Sequence, residues 1–178
     1  MEVKLNDVQV SKTFKVAGIE FIKFSEDNGR TVVVAKDIQF KSYFGKNNNL
    51  SQSDVLKKLQ TEMLPKIEAA VGAENVLEFE TDLFSLDGSR EYGFMKSKVA
   101  LPTFDFYRNN RDIFNKYPVD GWWWLATPDS TPDYYSGALV VCVSPSGDVF
   151  CNLSSFGDNG GVRPFYIFNS SISVSCEE

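Results

Sequence analysis

The chain has 178 residues, 43% of them hydrophobic and 14% aromatic, which is enough apolar surface for one folded domain over residues 1–178 and too much for a disordered tail. It has no histidine, which excludes serine–histidine and cysteine–histidine nucleophilic systems and histidine-ligated zinc. No apolar run reaches transmembrane length and no secretion signal opens the chain, so the expectation is a cytoplasmic protein with no membrane contact. The net charge of −6 is unevenly spread. Residues 1–66 hold 11 Lys/Arg against 8 Asp/Glu, and residues 67–178 hold 7 against 16. Between Pro118 and Ser175 the only basic residue is Arg163. That half is a poor match for phosphate, so no direct nucleic-acid binding is expected. Its acidity reads either as an ordinary solvated surface or as a face that docks onto a basic surface of another protein.

The first forty residues read as strands. Phe14-Lys15-Val16 and Ile19–Phe24 flank a hairpin break at Ala17-Gly18, and Asn28-Gly29 is a second hairpin signal leading into Thr31–Ala35. Lys46–Asn49 is a loop. Ser51 begins a Ser-x-x-Asp capping pattern ahead of a helix whose stripe is Val55, Leu56, Leu59, Met63 and Ile67. Pro65 is expected to kink or divide this helix, and Gly72 to stop it. Glu74–Glu91 carries six acids and one Arg among apolar residues and reads as a strand and turn with a solvated acidic side. Thr103 is placed to cap a second, short helix running through Arg111.

Three consecutive tryptophans on a strand cannot share a side: Trp122 and Trp124 face one way and Trp123 the other. The strand is therefore covered on both sides, or offers one face to a ligand. Beyond it come Ala138–Val143, a turn at Ser144–Asp148 and Val149-Phe150-Cys151, then a loop at Ser154–Gly161 and a last strand from Val162 that contains Phe165–Phe168. Together these predict an antiparallel meander closed by the aromatic strand. Cys142 and Cys151 are equidistant from Ser146-Gly147, and a two-residue loop there sets them opposite each other. They read as reduced core residues, or as a pair able to cross-link under oxidising conditions.

The Trp-Trp-Leu-x-Thr-Pro and Gly-Val-Arg-Pro motifs, at 123–128 and 161–164, resemble those of an uncharacterised domain family of Gram-positive bacteria and their phages. Ser51–Ile67 fits that family's helix, and Lys98–Thr103 fits in part the stretch before its second helix. The family is similar in pattern to C-type-lectin-like folds, which include the formylglycine-generating enzymes. The resemblance implies an α+β, C-type-lectin-like domain, mainly antiparallel sheet with two principal helices. It implies a binding face between the two motifs, made by Tyr134, Tyr135, Asn152, Ser154, Ser155, Phe156, Asp158 and Asn159. Arg163 is expected to tie the last strand to a buried acid or to backbone carbonyls. The sugar-binding calcium motifs and the closely spaced copper-binding cysteines of such folds are missing, so no metal or cofactor is implied. The expectation is a non-catalytic protein-binding module. Its concrete form is a phage-type accessory protein, of the anti-CRISPR kind, that binds a host protein with a basic surface in the host cytosol. The alternative is a virion or surface module that recognises a carbohydrate or receptor.

Overall fold

The computed structural model describes residues 1–130, 139–156 and 160–176. The first strand, β1 (Glu2–Lys4), leads through a short turn to β2 (Thr13–Val16) and β3 (Ile19–Asp27), then β4 (Arg30–Ala35) and β5 (Phe40–Lys41). Both predicted hairpins form, with two-residue loops whose residues take left-handed backbone: Ala17 at φ 51° with Gly18 at 78°, and Asn28 at 49° with Gly29 at 74°. Turns of this hand match the twist of the strands they join.

The main helix runs over residues 54–71 in three parts. These are α1 (Asp54–Lys58), a π-helical segment (Leu59–Met63) and α2 (Leu64–Val71). Its cap is Ser53, whose hydroxyl accepts the Leu56 N–H at 3.0 Å, two residues later than the Ser51 pattern indicates. Pro65 lacks the N–H that an α-helical bond to Thr61 would use, and the backbone widens into the π segment just before it. Gly72, at φ 90°, ends the helix as expected. The hairpin β6 (Phe79–Asp82) and β7 (Phe94–Ser97) is a separate two-stranded sheet.

Thr103 caps α3 (Phe104–Asn109), accepting the Phe106 N–H at 3.1 Å. The helix breaks at Asn110 and restarts as α4 (Arg111–Phe114). The fold is thus mixed α+β and mostly antiparallel, but with one main helix rather than two principal ones.

The remaining strands are β8 (Trp123–Pro128), β9 (Leu139–Val143), β10 (Val149–Leu153), β11 (Gly161–Val162), β12 (Phe165–Asn169) and β13 (Ser173–Ser175). They do not make one meander. A five-stranded sheet has the order β10-β9-β8-β11-β5, and a six-stranded sheet has the order β1-β13-β2-β3-β4-β12. The predicted last strand is therefore two: β11 lies parallel to β8 in the first sheet, and β12 pairs antiparallel with β4 in the second. Only Arg163 and Pro164 separate them.

Strand alternation divides the core between two faces. Phe21, Val33, Trp124, Ala126, Val140 and Cys142 join the larger cluster, which the main helix covers with Val55, Leu59 and Ile67. Ile22, Val34, Trp123, Leu125, Val141 and Val143 join a second cluster that includes Tyr107 of α3 and Phe114 of α4. Both sheets are covered on both sides, which explains why β8 is buried along its whole length. The tryptophans divide as the alternation demands: the Trp122 and Trp124 rings meet at 4.7 Å, and Trp123 packs 5.4 Å from Phe114 on the other face.

Candidate functional site

The described members of the expected binding face lie on or just after β10, the outer strand of the five-stranded sheet. Tyr134, Tyr135, Asp158 and Asn159 lie outside the described residues. The described members fall into two groups. Phe156 is 51% exposed and Ser155 is exposed, and Asn152 is half-buried on β10 with its side-chain oxygen accepting the Leu153 N–H. Ser154 is buried rather than exposed, and its carbonyl accepts the N–H groups of Phe44 at 2.8 Å and Gly45 at 3.1 Å. It anchors the loop to the segment that precedes the main helix.

Two exposed apolar residues extend this face beyond the sequence reading. Val149 and Leu153 lie on the same pleat as Cys151 and are 42% and 45% exposed. With Phe156 they give the edge strand an apolar margin at both ends. Their apolar character is plain in the sequence, but nothing local shows that β10 is an edge strand.

Asn48, which sequence reading left as part of a plain loop, bridges Ser130 just after β8 and Leu139 at the start of β9. Its amide donates to the carbonyls of Ser130 at 2.8 Å and Leu139 at 3.1 Å, and its oxygen accepts from the Tyr92 hydroxyl at 2.6 Å. Asn48 is 1% exposed, so these bonds are sheltered from water.

The cysteines are not opposite one another. Cys142 pairs with Phe150, and Cys151 pairs with Val141. The loop holds three residues rather than two: the Ser144 N–H bonds to the Asp148 carbonyl and Gly147 takes φ 87°. One extra residue moves the partner strand by one position and turns its side chains over. Cys142 therefore enters the larger core cluster and Cys151 the other, and both are free thiols. Burial pushes the Cys151 thiol up to about 11, and the neighbouring Asp129 carboxylate adds to the rise.

Arg163 is 1% exposed. Its Nε donates to the Ala35 carbonyl at 3.1 Å, so the backbone tie is present. The buried acid is not: no salt bridge forms to Arg163 among the described residues, and its Nη2 has no hydrogen-bond partner. Instead the guanidinium lies 4.7 Å from the Trp123 ring centre and 5.2 Å from that of Phe114. Burial lowers its ionisation to about 10, with the charge of Asp37 acting in the opposite direction.

Among the described residues no three His, Cys, Asp or Glu side chains group as a metal site would, and no helix is long and apolar enough to cross a membrane. Comparison with protein-family models, curated proteins and solved structures gives no match to this chain.

Proposed function

We propose that this protein is a non-catalytic binding module of C-type-lectin-like fold, acting in the cytosol on a protein with a basic surface. The observation that carries the reading is the burial of Arg163. It is the only basic residue between Pro118 and Ser175, and at 1% exposure it offers the surface no cation. What the described part of that stretch presents beside β10 is acidic and apolar, with Asp148 exposed next to Val149 and with Leu153 and Phe156 exposed at the other end of the strand. An apolar centre with a charged rim is the composition of a protein interface, and the rim's sign selects a basic partner. The specific form of the proposal is a phage-type accessory protein that blocks the nucleic-acid channel of a host defence protein.

The test is capture of host proteins with the purified chain, followed by titration of the captured protein in rising salt. The reading expects one stoichiometric basic protein, released as salt rises, and lost when Leu153 and Phe156 are both replaced by Asp. Capture that is unaffected by the double replacement, or binding to glycans without any protein partner, would overturn it.

A further inference from the structure

The β6–β7 hairpin has an open edge. The Leu83 N–H bonds to the Gly93 carbonyl at 3.0 Å, and counting back in steps of two turns the backbone groups of Thr81 and Phe79 toward β7. Those of Glu80 and Asp82 therefore point away from β7, and among the described residues nothing bonds to them. Beside this edge is a cavity of about 230 Å³. All four residues of β6 line it, from both pleat directions, so it runs along the strand's edge rather than under one face. Phe106 of α3 and Phe165 and Ile167 of β12 complete the apolar lining, and the Phe165 ring meets those of Phe79 and Phe106 at 5.1 Å each. Phe79, Phe106, Phe165 and Ile167 are half-buried, so part of each stays open to solvent. On the hairpin's outer face, Glu80 is exposed and only loosely engaged, 3.9 Å from an equally exposed Lys96.

We propose that β6 takes up an extended segment of a partner protein as an added strand, with apolar and basic residues in alternation. Strand geometry sets that pattern. Residues opposite Glu80 and Asp82 exchange N–H···O bonds with them and carry Lys or Arg side chains beside the two carboxylates. The residues between turn to the other face and lay apolar side chains against Phe79, Phe106, Phe165 and Ile167. A second copy of this chain does not fit, because pairing β6 with itself would set Glu80 and Asp82 against the same acids. The site is on a different sheet from β10 and rests on nothing argued for that strand.

The probe is acetyl-Leu-Lys-Leu-Lys-Leu-amide, titrated into the isotope-labelled full chain and followed by amide chemical shifts, with acetyl-Leu-Glu-Leu-Glu-Leu-amide as control. Binding is expected with a Kd below about 1 mM, with the acidic peptide at least about tenfold weaker. The shifts should centre on residues 79–82 and 165–167. Methylating both lysine backbone nitrogens removes the donors that face β6 and is expected to weaken binding at least about tenfold. Methylating the nitrogen of the first leucine, which points away from β6, is expected to change it less than about threefold. Glu80→Lys reverses one charge at a side chain 57% exposed, so the core is untouched, and circular dichroism checks the fold. It is expected to weaken the lysine peptide by about fivefold or more. No saturation by about 5 mM peptide, equal binding of the acidic peptide, equal effects of the two methylations, shifts centred on β10, or full affinity in folded Glu80→Lys would each overturn the assignment.

Discussion

A Cβ atom on Gly160 would lie 2.0 Å from Nε1 of Trp124, so this glycine exists to let the backbone lie against the indole. Ser42 joins the same contact: its carbonyl accepts the indole N–H at 2.8 Å, and its N–H donates to the Gly160 carbonyl at 2.9 Å. One residue on, the Gly161 N–H bonds to the Trp122 carbonyl at 2.9 Å. The tryptophan motif and the Gly-Gly-Val-Arg-Pro motif are thus two halves of one packing unit. Gly160→Ala is expected to cost more than about 3 kcal/mol, because backbone and indole are both fixed on either side. Urea denaturation monitored by tryptophan fluorescence measures it, and a loss under 1 kcal/mol (about the value for an ordinary surface change) would refute the contact.

The hydrogen bonds of Asn48 join three separated segments, so removing them is expected to exceed the cost of an ordinary polar substitution. Asn48→Ala leaves the Ser130 and Leu139 carbonyls without this donor and should destabilise by about 2–3 kcal/mol. Tyr92→Phe removes one bond to the same side chain and should cost about 1 kcal/mol. A double-mutant cycle should give a coupling of at least about 0.5 kcal/mol between them, and strict additivity would separate the two residues.

Lys23 is buried, and its ammonium donates to the Leu5 carbonyl at 3.0 Å and to Glu26 at 2.5 Å. Glu26→Ala strands the cation and is expected to cost about 2 kcal/mol, somewhat below a fully buried pair because Glu26 is partly exposed. Replacing both, as Lys23→Met with Glu26→Gln, should recover most of that loss. A double variant less stable than Glu26→Ala alone would overturn this account.

The cysteines give a test of register. Since Cys142 and Cys151 face opposite sides of the sheet, oxidation should leave no bond between them, as peptide mapping after mild oxidant treatment can show. At pH 8 the Cys151 thiol, pushed up to about 11, should react slowly with a thiolate-selective reagent. Asp129→Asn removes a charge that opposes the thiolate, so the thiol's ionisation should fall and its reaction at pH 8 should speed up. The folded state holds this proton longer than an unfolded chain with an ordinary thiol. The contribution to stability is therefore complete below about pH 9 and declines as pH rises from about 9 to 11. Unchanged reactivity in Asp129→Asn would remove the carboxylate from the explanation.

What the sequence discloses depends on how local each cause is. Ala17-Gly18 and Asn28-Gly29 announce their turns because two left-handed residues suffice to make them, and the tryptophan alternation follows from the strand itself. The helix stripe and its proline are equally plain, although Ser51 and Ser53 both offer a cap and the structure takes the second. The β9–β10 loop misleads because Ser146-Gly147 suits a two-residue turn, and the added residue is set by pairing along the whole hairpin. Ser154 has the polarity of a binding loop, but distant backbone at Phe44 and Gly45 draws it inward. The division of the last strand between two sheets, and the bonds Asn48 makes, depend on partners about 40 or more residues away in sequence, which no local pattern records.

The two-residue step at Arg163-Pro164 makes one short length of chain common property of both sheets. The Ala35 N–H bonds to the Pro164 carbonyl, and the Gln39 N–H to that of Val162, so the step is stitched to the β4–β5 connection on either side of Arg163. Neither sheet can loosen without drawing on that seam. Amide exchange at the hydrogen-bonded amides of residues 35–39 and 162–165 should therefore belong to the slowest class, the one that opens only when the whole molecule does.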